Sequence, residues 1–171
     1  MSSFRTVLLV AMLLNLTACG FHALYGQGEN GVAPASDQLA LVRIDRIPDR
    51  LGQELRNALL DRITPMGPPS KPRYLLRVSV KETIQELGIR KDETATRANL
   101  HLNAKYALYD AITHAELFES KLRAVGSYNI LQSDFATLTA EQNVRSRLIQ
   151  KISDSLRTGL AVHLSAQARA P

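Results

Sequence analysis

The chain has 171 residues and a formal net charge of +5, from 21 Lys and Arg against 16 Asp and Glu, with one Cys and no Trp. That length fits one domain plus a removable segment, and the single thiol excludes an internal disulfide. The modest positive charge is not that of a dedicated nucleic-acid binder, and so few aromatics leave little for an aromatic cage.

Residues 1–18 begin with one charge, Arg5, continue through an apolar run from Val7 to Leu14, and leave through small residues. This is the pattern of a targeting signal, and it stands outside the fold argument. The apolar run is too short to cross a bilayer as a helix. It ends in Leu16-Thr17-Ala18-Cys19-Gly20, which holds the only cysteine. An apolar residue, then two small ones, then cysteine reads as a bacterial lipoprotein signal. The Cys19 thiol takes a diacylglycerol, the chain is cut before it, and the new amine is acylated. The competing readings are a plain secretory signal with a leftover thiol, or a short membrane helix. Cleavage removes only Arg5 among the charges, so the mature net charge is 5 − 1 = +4. Two or more acyl chains anchor a protein stably, and Gly20 in place of an aspartate favours the outer membrane over the inner one. No later stretch reaches spanning length, so the mature chain is expected to be soluble apart from its lipid.

Residues 26–37 have no period and are rich in Gly, Ala and Pro, as a tether is. With the anchor they form a segment over residues 19–37. A single domain is expected over residues 38–166, followed by a frayed tail over residues 167–171.

Within that domain, residues 39–45 predict a first strand, with Ala40, Val42 and Ile44 on one face and Arg43 and Asp45 on the other. Pro48 ends it. Asp49 opens a helix, where a carboxylate suits the free N–H groups. Leu51, Leu55, Ala58, Leu59 and Ile63 form its apolar stripe, and Gly52 points to a close approach. Four prolines and a glycine in residues 65–72 force a loop.

Residues 74–84 alternate. Tyr74, Leu76, Val78, Val80 and Ile84 face one way, and Arg77, Ser79, Lys81 and Thr83 the other. A turn region is expected over residues 86–95, including Arg90 and Lys91. Residues 97–108 predict the clearest strand, with Leu100, Leu102 and Leu108 inward and Arg97, His101 and Lys105 outward. After a turn over residues 110–115, Phe118, Leu122 and Ala124 point inward and Glu119, Lys121 and Arg123 outward.

From Ser133 the period becomes helical, with Val144, Leu148, Ile152, Leu156, Leu160 and Leu164 every four residues. A helix to Ser165 would measure about 48 Å, against about 33 Å for ten-residue strands. An overhang, or a kink near Gly159, is therefore expected.

The fold class is α+β: a two-layer sandwich in β-α-β-β-β-α order, with a four-stranded mixed sheet and both helices on one face. The last three strands form an antiparallel meander, and the first β-α-β unit crosses over right-handed.

Catalytic chemistry is sparse. His22, His101, His114 and His163 show no metal-ligand spacing, and no nucleophile motif or phosphate loop occurs. No enzyme, cofactor or metal is expected. The informative feature is the outer sheet face, with Arg77, Lys81, Arg97, His101, Lys105, Lys121 and Arg123 against Glu119. A single-sign field there attracts polyanions. Export makes nucleic acid an improbable one and leaves anionic glycolipids and acidic protein loops. The alternative is that a half-exposed sheet simply carries polar side chains, which also guard its edges.

Several segments together resemble the lipopolysaccharide-assembly lipoproteins of the LptE family. They are Cys19-Gly20-Phe21-His22-Ala23-Leu24-Tyr25, Ile47-Pro48-Asp49-Arg50 with Gly52-Gln53 and Leu55-Arg56-Asn57, Ala95-Thr96-Arg97, Tyr106-Ala107-Leu108-Tyr109-Asp110 and Ser127-Tyr128-Asn129. The resemblance implies a non-enzymatic protein at the inner leaflet of the outer membrane. It would plug and help assemble a β-barrel partner, LptD, that inserts lipopolysaccharide into the outer leaflet. It also implies lipid contact by basic residues near loop tips, here Arg90, Lys91 and Arg97. The chain departs from the family before the last helix, where Ser133, Asp134 and Thr137 replace a second basic position. The alternatives are a stand-alone periplasmic lipoprotein that carries or senses a ligand, or one that binds cell-wall polymer.

Overall fold

A computed structural model describes residues 35–89 and 95–168. The elements in chain order are α1 (Ala35–Leu39), β1 (Val42–Ile44), α2 (Asp49–Ile63), β2 (Tyr74–Ile89), β3 (Ala95–Asp110), β4 (Glu116–Asn129) and α3 (Asp134–Gln167). The four strands form one sheet in the order β1-β2-β3-β4. β1 pairs parallel to β2, while β2–β3 and β3–β4 are antiparallel. The expected α+β sandwich in β-α-β-β-β-α order is the observed one. No helix among the described residues is long and apolar enough to cross a membrane.

The inner face follows the alternation. Leu100, Leu102 and Leu108 of β3 and Leu156 and Leu160 of α3 are all 0% exposed. Leu55, Ala58, Leu59 and Ile63 bury the stripe of α2. A Cβ on Gly52 would come within 2.6 Å of Ile47 Cγ2, so the glycine allows the close approach expected there. Burying seven large apolar groups of α3, at about 2 kcal/mol each, makes that helix indispensable.

Three expectations need correcting. The first strand is shorter than residues 39–45, because residues 35–39 coil into α1, which begins inside the segment read as tether. Ala40 is exposed, and its N–H donates to Ser36 O. Leu39 reaches the core from a helical turn, which alternation cannot reveal. Residues 86–89 continue β2 rather than opening a turn, since Leu87 pairs with Arg97 and Ile89 with Ala95. Ladder pairing with β3 outweighs the poor strand propensities of Glu86 and Gly88.

The third correction concerns α3, which is unbroken at Gly159. A Cβ there would meet Tyr106 Oη at 2.5 Å, so the glycine makes room for a tyrosine. The sixteen-residue strands span about 53 Å, close to the helix's own length of about 51 Å. The N-terminal end of α3 nevertheless stands clear of the core. No side chain before Val144 is buried, and Phe135 is 80% exposed.

Candidate anion-binding face

Strand parity places the outer-face side chains, and register places them beside one another. One row across the sheet runs Lys81–Asn103–Arg123, and the next runs Ser79–Lys105–Lys121. Neither helix covers this side. These residues line a shallow depression of about 370 Å³.

Two cations here serve the fold. Arg77 donates to Asp45 at 3.3 Å and lies 4.6 Å over the Tyr109 ring. It caps a small patch in which Leu75 and Ala107 are buried although they sit on the outer face. Asp45 is thus a second acid at this surface besides Glu119. Lys105 reaches Glu119 at 2.8 Å, and this hydrogen bond raises the lysine's pKa.

The others are differently placed. Lys81 and Lys121 have no carboxylate at ion-pair distance among the described residues. Arg123 Nη2 donates to His101 Nδ1 at 3.0 Å, so His101 is a neighbour that orients the guanidinium. Lys105 and Lys121 stand directly opposite across β3 and β4. Glu119 counters the charge of Lys105, whereas Lys121 has no carboxylate at ion-pair distance among the described residues. Arg97 is exposed near the far end of β3, opposite Leu87 and Asn129. The structure therefore gathers Lys81, Lys105, Lys121, Arg123 and His101 at mid-sheet, with Arg77 on one side and Arg97 on the other. Cys19, Arg90 and Lys91 lie outside the described residues.

Two features escaped the sequence reading. Asn103 completes the row between Lys81 and Arg123, and an amide can donate to the same anion. On the opposite face, Glu82 interrupts the apolar run of β2. Both its carboxylate oxygens accept from Arg145 of α3, at 2.6 and 2.7 Å. Arg145 also donates to Glu141, which accepts from the Tyr128 hydroxyl at 3.2 Å. The network pins the exposed end of α3 to the sheet. The signal for it was Glu82 itself, a charge at an inward position.

No group of three His, Cys, Asp or Glu able to hold a metal occurs among the described residues. The outer face presents cations and an amide at mid-sheet, groups that can donate to an anion.

No curated protein matches the sequence. Among solved structures, the chain is similar to a candidate lipoprotein of Caulobacter crescentus CB15, with 21% identity, 79% of this chain and 98% of that chain covered, and a TM-score of 0.65. It is similar to a minor lipoprotein of Acinetobacter baumannii, with 19% identity, 71% and 90% covered, and a TM-score of 0.58. Rare lipoprotein B of Shewanella oneidensis aligns at 11% identity, 71% and 93% covered, with a TM-score of 0.55. At such identities these likenesses establish the fold. The family follows from sequence: the LptE model, described as lipopolysaccharide-assembly, matches residues 36–160. The chain belongs to the LptE family of lipopolysaccharide assembly.

Proposed function

We propose that this chain is a non-enzymatic outer-membrane lipoprotein, anchored through Cys19 on the periplasmic side. It plugs and helps assemble an LptD-like barrel, and its cations meet lipid A phosphates during insertion of lipopolysaccharide. The observation that carries this reading is the mid-sheet group of Lys81, Asn103, Lys121 and Arg123, uncovered by either helix and short of carboxylates among the described residues. A barrel lumen is polar and wet, and a sheet face of this kind can sit against it. Membership of the LptE family supports the setting.

Two triple variants test the lipid contact. Lys81→Ala with Lys121→Ala and Arg123→Ala removes the mid-sheet cations. Arg90→Ala with Lys91→Ala and Arg97→Ala removes the tip. Each should weaken lipopolysaccharide binding while leaving the fold intact, and wild-type binding should fall with salt. Unchanged binding at physiological salt would reject the group concerned. Purification from outer membranes tests the plug: a barrel of far larger mass should accompany the wild-type chain, whereas a stand-alone carrier would emerge alone.

A further inference from the structure

β2 is sixteen residues long, yet β1 pairs with only three of them, Tyr74, Leu75 and Leu76. Beyond Leu76 the strand has β3 on one side and no strand on the other among the described residues. In a strand, the N–H and C=O of one residue point the same way, and successive residues alternate sides. Leu76 O accepts from Asp45 N–H, and Tyr74 N–H donates to Leu41 O, so even-numbered residues of β2 face the β1 side. The β2–β3 register runs without a shift from Tyr74 to Leu87. Val78, Val80, Glu82, Ile84 and Glu86 therefore present their backbone groups to an open edge about 30 Å long.

Natural proteins blunt such edges with proline, bulges or charge. Residues 78–86 contain no proline and no register shift. The opposite edge, β4, has a register irregularity near its start; charge does not distinguish the edges, since β2 carries Lys81, Glu82 and Glu86 and β4 carries Glu116, Glu119, Lys121 and Arg123. The side chains along the β2 edge also suit company. Ile84 is 41% exposed on the inner face beside half-buried Val80. Glu82 between them has both carboxylate oxygens taken by Arg145, so its charge is already countered. On the outer face Lys81 is flanked by Ser79 and Thr83, with no carboxylate partner among the described residues.

We propose that this edge is completed by an extended segment of a partner protein, which pairs with residues 78–86 as an added strand. The inference rests on the reading above that the chain works inside a larger assembly. The segment would place apolar residues beside Val80 and Ile84 and an acidic residue beside Lys81. Backbone pairing supplies the affinity and the alternating side chains the selectivity. Two other occupants fit less well. The chain's own residues 26–34 include Gly26, Gly28, Gly31 and Pro34, which are poor strand formers. A second copy paired antiparallel about Glu82, Lys81 or Ile84 would set like charges face to face, and for the remaining registers the concentration dependence of the protection decides.

The test is residue-resolved hydrogen exchange on the full lipidated chain, pure in detergent and again in native outer-membrane vesicles. Amides of Val78, Val80, Glu82, Ile84 and Glu86 should exchange fast in the pure chain and at least about tenfold slower in the vesicles, equivalent to about 1.4 kcal/mol. Amides of the odd-numbered residues between them should be slow in both. Ile84→Pro removes an N–H that points away from β3, and Ile84→Lys adds a charge to the edge. Both should abolish the extra protection while leaving circular dichroism unchanged. Even-numbered amides as fast in vesicles as in the pure chain would overturn the proposal. So would protection in the pure chain that grows with its concentration, which marks a second copy, or that disappears when residues 26–34 are deleted. A wild-type chain that purifies without a barrel would instead sink the plug reading. Failure of the edge inference would leave the barrel in place and the even-numbered amides fast.

Discussion

The two faces of the sheet are made by the same strands and obey opposite rules. On the inner face, Leu76, Leu100, Leu102 and Leu108 meet Leu156 and Leu160, and all are 0% exposed. Each position there is set by volume and by exclusion from water. On the outer face, Lys105 and Lys121 stand opposite each other, and only Lys105 has a carboxylate partner among the described residues. The inner face is explained by stability throughout, the outer face only where Arg77 and Lys105 are engaged. That asymmetry separates the scaffold from the surface we propose to be the working one.

The largest effect that sharpens the contrast is on the inner face. Leu156→Ala should cost about 2–5 kcal/mol, because both transfer energy and a cavity are involved. A urea midpoint measures it. Next comes the polar network on the same side. Arg145→Met leaves Glu82 and Glu141 facing each other without their cation, and should cost about 2–3 kcal/mol. Fast exchange in residues 134–143 of the variant would show that the network holds that end of α3.

On the outer face no such loss is expected. Lys121→Ser removes a like charge opposite Lys105 and should leave the fold at least as stable as the wild type, while weakening lipopolysaccharide binding. A variant that lost stability and kept its affinity would erase the distinction between the faces.

The smallest effect is a pH dependence. His163 stacks on Phe118 with ring centroids 4.4 Å apart, and burial lowers its pKa from the ordinary value of 6.5. The folded state then binds fewer protons than the unfolded one below that pH. Its contribution is complete above about pH 6.5 and is lost as pH falls toward the folded value. His163→Gln should flatten the stability profile below about pH 6.5, as read by thermal unfolding at each pH.

The inner face was legible because both of its periods are simple: two along β3, and four along the buried stripe of α3. Gly52 was legible as a close approach because few other reasons place glycine inside a helix. α1 was not, since five residues with one buried leucine carry no period. The end of β2 was missed because Glu86 and Gly88 are poor strand residues that only their pairing with β3 retains. For the candidate site, parity alone put the cations on one face. It could not tell which were already engaged. Lys105 pairs with Glu119, which stands opposite Ala107, one step along the strand on the same face, and only register reveals that diagonal. Nor could parity show that β1 leaves most of β2 unaccompanied.

The central claim is that the open sheet face is where lipopolysaccharide is met. A photo-crosslinking side chain at Asn103, between Lys81 and Arg123, should capture lipopolysaccharide in living cells. The same group at Gln142, exposed on α3, should capture far less. Equal capture from the two positions, or capture from Gln142 alone, would contradict the account.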